Sequence, residues 1–414
     1  MTDVVIVGAG LAGLTCAQEL SRAGVDCRVL EASDGVGGRV RTDELDGYLL
    51  DRGFQILLTA YPQVRRRIDL QALDLGYFEP GALVRAHGSF HLMSDPLRRP
   101  LQIGRTLAAP VGSPADKARM ARLVLDVRRR DVRELLRRPD QSTARRLQRA
   151  GFGEEMIERF WRPLFAGIQL DPDLEVSSRR FETILKMIAE GPTALPRRGM
   201  GAIPAQIAAT LPDGALRLNS PVSEIQGTSA VLESGEWADA AAVVIATDGP
   251  AAHRLLGDSV PDPGSRAAGC CWFSASAAPQ GGPILRLDGE TGGPAKNIVV
   301  MSDVSPSYAP PGRCLIAAAV PGPRALLADT PERVREQLAT LFGSMSSDWE
   351  LLRVDVIAHG QPLQAPPLNP RRRVSLGGGV FVCGDHRDTA SIQGAMFSGE
   401  RTAREVLRSF QQSE

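Results

Sequence analysis

Hydrophobic and polar positions change period several times along the chain, and each change predicts an element. Residues 4–7 are an unbroken β-branched run, read as a short buried strand beginning near Asp3. Glycines follow, and Leu11, Leu14, Ala17 and Leu20 then recur at helical spacing until Gly24 stops the helix. Residues 25–30 form a second short apolar strand and complete a βαβ half. Over 116–136, Met120, Leu123, Val124 and Val127 share one face while Arg119, Arg122, Arg128, Arg129 and Arg130 surround the rest, predicting one amphipathic basic helix. A further helical stretch carries Met156, Ile157, Phe160, Trp161, Leu164 and Phe165, apolar and aromatic enough to be expected at the wall of an apolar pocket. Residues 216–247 predict short strands with turns at Asn219-Ser220 and Ser234-Gly235, closing on the apolar run 242–246, as in buried parallel strands. More strands are predicted at 284–287, 298–301, 315–320 and 352–357, with a helix at 331–342. Pro362, Pro366, Pro367 and Pro370 mark a linker before a strand at 380–383 and a last helix at 394–407.

Length and composition narrow this picture. A chain of 414 residues exceeds what one core organises, so two domains are expected. Hydrophobic residues at 43% and charged residues at 23% are ordinary for a soluble globular protein. Forty-eight basic residues balance 48 acidic ones, which removes any global electrostatic case for nucleic acid as a partner. Six cysteines without CxxC spacing, Cys270 and Cys271 adjacent among them, predict reduced, buried thiols rather than zinc ligands. A strand starting at Asp3 leaves no room for a secretory leader, and no apolar run approaches the roughly 20 residues of a membrane span. A cytoplasmic address is the expectation. The five histidines are scattered, with His386 beside Asp385 the one tied to a motif. No catalytic side chain and no metal site are assigned.

The chemistry concentrates at the first turn. Gly8, Gly10 and Gly13 form GxGxxG between strand and helix, where glycine permits a tight turn, close approach to a pyrophosphate and close helix packing. The helix N-terminus supplies unpaired N–H groups and a positive dipole end. Glu31 ends the second strand at the spacing where an acid accepts both ribose hydroxyls, and it would repel a 2′-phosphate. The spacing alone fits FAD and NAD equally. Directly after Glu31-Ala32-Ser33-Asp34 comes Gly37-Gly38-Arg39-Val40-Arg41-Thr42, which adds backbone donors and charge near the pyrophosphate.

That acid followed by Gly37, Gly38 and Arg39 resembles the FAD marker of the flavin amine oxidase superfamily, which includes protoporphyrinogen oxidases and plant-type phytoene and carotene desaturases. Asp51-Arg52-Gly53-Phe54-Gln55 is similar to a segment running near the flavin ring. Leu195-Pro196 with Gly199-Met200-Gly201, then Pro221-Val222, are similar to the region whose valine backbone meets the adenine. At the other end, Val382-Cys383-Gly384-Asp385, Ala390-Ser391-Ile392-Gln393-Gly394-Ala395 and Ser398-Gly399 are similar to the segment that meets the ribityl chain and points a helix N-terminus at the flavin.

The resemblance implies an α/β fold: a Rossmann-like FAD-binding domain of GR2 type, interleaved with an α+β substrate domain that has a mixed or antiparallel sheet and a helical part. It implies a division into a discontinuous FAD-binding domain at 1–75, 195–255 and 370–414 and a substrate domain at 76–194 and 256–369. It implies FAD contacts at Gly8, Gly10, Leu11, Ala12, Gly13, Glu31, Ala32, Gly37, Gly38, Arg39, Gly53, Phe54, Gln55, Val222, Gly384, Asp385, Ser391, Ile392, Gln393 and Ala395. Amine oxidases frame the amine with aromatic side chains, whereas Ser391 and Ile392 stand at the corresponding place here. Their flavin-associated lysine could only be Lys296 in this chain. Phe160-Trp161-Arg162-Pro163-Leu164-Phe165-Ala166-Gly167 is more similar to the desaturase and protoporphyrinogen oxidase members. The expected activity is therefore dehydrogenation of an apolar, isoprenoid- or porphyrinogen-like small molecule by hydride transfer to flavin, with oxygen or a quinone as electron acceptor. An amine oxidase and a non-redox isomerase using reduced FAD remain the alternatives. The basic helix reads either as a solvated face or as a peripheral membrane contact.

Overall fold

Strand Thr2–Val7 buries its last four residues completely on both faces, as a strand covered by helices on each side must. It pairs in parallel with Cys27–Leu30 on one side and Ala240–Ile245 on the other, Val5 lying opposite both Arg28 and Val243. Leu216–Arg217 and Val380–Val382 extend the parallel sheet at its two sides, and Ser375–Gly377 adds an antiparallel edge, giving six strands. The strands come from residues near the N-terminus, the middle and the C-terminus, so the sheet assembles only when distant segments meet. The computed structural model describes residues 2–95 and 98–412; Met1, Pro96, Leu97, Ser413 and Glu414, which the domain segments above include, lie outside the described residues.

The ends of the chain are joined by two helices. Leu11–Arg22 lies against Ile392–Gln411, and at their crossing a Cβ on Gly399 would stand 2.2 Å from the Ala12 carbonyl oxygen. Any side chain at 399 would force these helices apart. Leu57–Leu58, Thr193–Pro196 and Leu75–Tyr77 form a short three-stranded antiparallel sheet.

A second, seven-stranded sheet runs in the order Glu350–Pro362, Ser265–Ala275, Cys314–Pro321, Asn297–Val300, Leu285–Leu287, Gly81–Ala86 and Ser89–Ser94. It is mixed: Leu285–Leu287 pairs in parallel with Gly81–Ala86, and the remaining pairs are antiparallel. The hairpin 81–94 turns on His87 and Gly88, both at positive φ (50° and 75°), the backbone that a two-residue loop of this hand requires. Helices of the 100–190 region close the other side.

The structure corrects the expected single helix over 116–136. It breaks into Pro114–Arg129 and Val132–Leu135, because Arg130 is extended and Asp131 caps a new helix by accepting from the Arg133 N–H. The apolar stretch after it is one helical run with a widened turn: Glu154–Met156, a π turn over Ile157–Trp161, then Arg162–Gln169. All six cysteines are unpaired thiols, five of them buried. Among the described residues no helix is long and apolar enough to cross a membrane.

Candidate functional site

The carboxyl ends of the parallel strands open onto one cavity of about 1470 Å³. Drug-sized ligands occupy roughly 300–1,000 Å³, so this space suits two ligands better than one. Val7-Gly8, Leu30-Glu31-Ala32, Ala246-Thr247-Asp248 and Gly384-Asp385, each following a strand of the sheet, line it together. In open α/β sheets that edge is where ligands bind.

The first turn is shaped for phosphate. Gly8 has φ +107°, and a Cβ on Gly13 would lie 2.0 Å from the Gly8 carbonyl oxygen, so the helix packs onto the turn only because both are glycine. The space beside Gly10 is open, with nothing within 4 Å of where its Cβ would stand. Gly38 stands opposite, its Cβ position 3.6 Å from the Gly10 Cα, and the Gly37 N–H donates to the Ala9 carbonyl at 2.8 Å. A gap floored by glycine backbone at a helix N-terminus fits a pyrophosphate. Glu31 accepts from the Ala9 N–H at 2.7 Å and from the Ser33 N–H and hydroxyl at 2.9 and 2.6 Å, which holds its carboxylate at the cavity wall where a ribose would reach it.

The two ends of the chain are locked here by a bidentate pair, Arg39 to Asp385 at 2.7 and 2.9 Å, with Arg39 also donating to the Gly360 carbonyl. Burial alone would raise Asp385, but the Arg39 charge and hydrogen bonds outweigh it and hold the carboxyl below the usual carboxylate range. Gln55 donates to the Arg39 and Arg52 carbonyls, fixing the 52–56 segment beside that pair. Ser391 caps the last helix by accepting from the Gly394 N–H at 3.0 Å.

Of the residues singled out from sequence, the structure brings all but Gly13 and Gln393 to the cavity wall. Gly13 instead serves packing between helix and turn. Gln393 faces the neighbouring segment, where its side-chain oxygen accepts from the Gln63 N–H at 2.8 Å. Its helix starts at Ile392, two residues earlier than the expected 394. His386 does not line the cavity either; burial pushes its imidazole down to about 4, so it is neutral at pH 7. Lys296 lies elsewhere, and the lysine that does line the cavity, Lys117, donates to the Leu107 and Ala109 carbonyls.

Of the substrate side of the site, the sequence pointed only to the apolar stretch 156–165, whose Phe160, Trp161 and Leu164 do line the cavity. The rest of the wall comes from outside the parallel sheet: Phe78, Met93, Ile103, Leu107, Met120, Val124, Leu125, Phe160, Trp161, Leu164, Ile168, Ile184, Leu185, Ile188 and Leu285 form an apolar arm. A signal was present in the Arg180, Ile184, Ile188 spacing on helix Ser178–Glu190, which places one residue per turn on one face. Asp51 was quoted only as part of a motif. It is fully buried and accepts from the Thr42 hydroxyl, the Met200 N–H and the Tyr308 hydroxyl, which ties the 199–201 segment under the site. Burial pushes it up to about 6.

The sequence model of one family, flavin containing amine oxidoreductase, matches residues 11–407. The chain belongs to that family. FAD is the cofactor that goes with it, and the glycine-floored gap, the Glu31 carboxylate and the Arg39–Asp385 lock are the features that fit it. An L-amino-acid oxidase of Sistrurus catenatus edwardsii is 45% identical over 75 residues, 18% of this chain and 14% of that relative, so the aligned stretch spans a small part of its length. An oxidoreductase from Methanosarcina mazei superposes with a TM-score of 0.77 at 19% identity over 97% of this chain and 100% of that one. A protoporphyrinogen oxidase-like protein of Exiguobacterium sp. 255-15 does so with a TM-score of 0.72 at 17% identity, over 98% of each chain. At these identities the solved structures show a shared fold.

Proposed function

We propose that the protein is an FAD-dependent dehydrogenase of an apolar small molecule, isoprenoid- or porphyrinogen-like. The apolar arm carries this reading. Its wall is aliphatic and aromatic, and its carboxylates are already engaged, Glu79 with Arg99 and Asp95 with Arg98. An amine is a cation at neutral pH, and this arm offers a buried guanidinium, Arg180, rather than an acid to receive it.

When bound, FAD supplies a two-electron hydride acceptor, so no protein nucleophile is required. Dehydrogenation of such a substrate would remove a hydride from one carbon and a proton from its neighbour, with oxygen or a quinone as the final acceptor of two electrons and two protons. The chain's own part is to bind, orient and exclude water. Gly8, Gly10, Leu11, Ala12 and Gly37–Arg39 would hold the pyrophosphate, Glu31 and Ala32 the ribose, and Val222 the adenine. Gly53, Phe54, Gln55, Gly384, Asp385, Ser391, Ile392 and Ala395 would flank the reactive end, where the N-terminus of Ile392–Gln411 favours negative charge. The seven-stranded sheet and the helices of 100–190 would form the substrate domain around the arm.

The mouth of the arm suggests how such a substrate arrives. Ile103, Leu107 and Leu125 line the cavity while being 48%, 55% and 38% exposed, and Leu101 beside them is 96% exposed. Exposed Arg105 and Arg122 stand among them, a pattern that suits an anionic lipid surface.

The test is anaerobic mixing of the flavin-loaded protein with a panel of apolar alkenes and polyenes, porphyrinogens, and mono- and diamines. Bleaching of the flavin by members of the first two groups supports the proposal. Bleaching by amines alone, or isomerised product without net bleaching, contradicts it.

A further inference from the structure

Arg371, Arg372 and Arg373 follow the proline-rich linker and precede the edge strand Ser375–Gly377, and the fold brings two further arginines to them. The Arg372 N–H donates to the Arg387 carbonyl at 2.9 Å, the Arg387 guanidinium donates to the Arg373 carbonyl, and that of Arg401 donates to the Arg372 carbonyl at 2.8 Å. Arg371 and Arg401 hold their guanidinium carbons 5.4 and 6.0 Å from the centre of one ring, Phe397 on the last helix. Arg371 reaches this place from left-handed backbone, φ 61°, which is strained for a residue with a side chain.

The charge gathered here is not balanced. Among the described residues, Asp388 is the one carboxylate within ion-pair distance of these arginines, 3.4 Å from Arg401, and Arg371, Arg372, Arg373 and Arg387 pair with none. Burial, and then the charges of Arg372 and Arg401, lower the Arg387 guanidinium to about 10, so it remains a cation at pH 7. Burial and the charge of Arg371 likewise lower Arg401, against the pull of Asp388. Like charges held this close repel, and an anionic partner would relieve the repulsion.

Arg387 closes the turn Asp385–Arg387, whose Asp385 pairs with Arg39 and lines the flavin cavity. None of the five arginines lines that cavity. They come from the end of the linker, this turn and the last helix, and form a face outside it. Phe397 lies half-buried under two guanidiniums and offers a bilayer little to insert. Planar guanidiniums fixed by backbone carbonyls, as at Arg387 and Arg401, match the paired oxygens of carboxylates.

We propose that Arg371, Arg372, Arg387 and Arg401 dock an acidic segment of a partner protein, placing that partner against the turn that carries Asp385. The inference does not depend on which substrate the apolar arm takes.

The probe is a fluorescein-labelled octaglutamate peptide, titrated with the flavin-loaded protein and followed by fluorescence anisotropy. Wild type should bind it at about 50 mM salt and about tenfold more weakly at about 250 mM. Arg371→Glu with Arg372→Glu should weaken binding by about tenfold or more, with flavin content unchanged. Arg145→Glu with Arg149→Glu alters the net charge equally at two exposed arginines of the helix Thr143–Arg149, and it should change binding by less than about twofold. Should the first reversed pair fail to fold, Arg371→Gln with Arg372→Gln should still lose about threefold. No binding of the peptide by wild type overturns the inference, and so does equal loss in the two reversed pairs. Tighter binding of inorganic tripolyphosphate, duplex DNA or phosphatidylglycerol vesicles than of octaglutamate, abolished by Arg371→Glu with Arg372→Glu, overturns it as well by naming another anion as the occupant.

Discussion

Glu31 shows how one side chain combines a local and a ligand-binding duty. Its carboxylate organises the 31–33 turn through the Ser33 N–H and hydroxyl and still faces the cavity. Replacing it by Gln removes the charge and turns one of the two acceptor oxygens into an NH2 that faces an N–H donor, so FAD should bind about tenfold more weakly or worse. Isothermal titration of the apoprotein checks this. Gly10→Val should lose flavin altogether, since the side chain would fill the open gap without touching protein, and flavin content per chain after purification reads it directly. Asp51 gives a pH signature. Its folded value of about 6 lies above the unfolded 3.8, so its contribution is fully present below about pH 4 and is lost as pH rises through 6. Two units correspond to about 3 kcal/mol. Denaturant titrations of wild type and Asp51→Asn should therefore diverge in slope between pH 4 and 6, wild type losing stability relative to the variant as pH rises; parallel curves would contradict the assignment.

At the scale of elements, the parts legible in the sequence are those where one physical requirement dominates. A buried parallel strand needs an unbroken apolar run, a phosphate turn needs glycine, and residues 4–31 show both. The same holds for the strand and helix after residue 380. Legibility failed where a single residue reverses a longer pattern. The apolar periodicity of 116–136 continues through Asp131, yet that residue's side chain caps a new helix and the chain breaks there. Strand Ser265–Ala275 was missed because its first half, Ser-Arg-Ala-Ala-Gly-Cys-Cys, is small or polar and only Trp272 and Phe273 add bulk, while its two edges pair with strands far along the chain. Hairpin 81–94 carried a readable turn at His87-Gly88. Most of the apolar arm escaped because its wall is assembled from segments scattered between residues 78 and 285, far along the chain from the turn that marks the site. One prediction belongs here. Leu101→Glu with Leu107→Glu should reduce cosedimentation with vesicles of phosphatidylglycerol and phosphatidylcholine by several-fold, leaving flavin content unchanged; equal sedimentation of both proteins would show that these helices do not meet lipid.

For the whole molecule, the decisive architectural fact is that residues before 60, around 220–250 and after 380 build one wall while other segments from the middle of the chain build the opposite one. The Arg39–Asp385 pair and the Gly399–Ala12 crossing fasten the ends together, and ligand in the cavity touches both sets. Saturating FAD should therefore raise the unfolding temperature of the apoprotein in proportion to the logarithm of its concentration, with one cooperative transition rather than two. The most direct test of the central claim is a crystal structure of the flavin-loaded protein with a long-chain ligand soaked in. The account predicts pyrophosphate over Gly10, the flavin ring between the 53–55 and 391–395 segments, and the ligand chain along Ile103, Leu107, Val124 and Ile188. Flavin density elsewhere, or an arm that stays closed to the chain while a polar pocket takes the ligand, would contradict it.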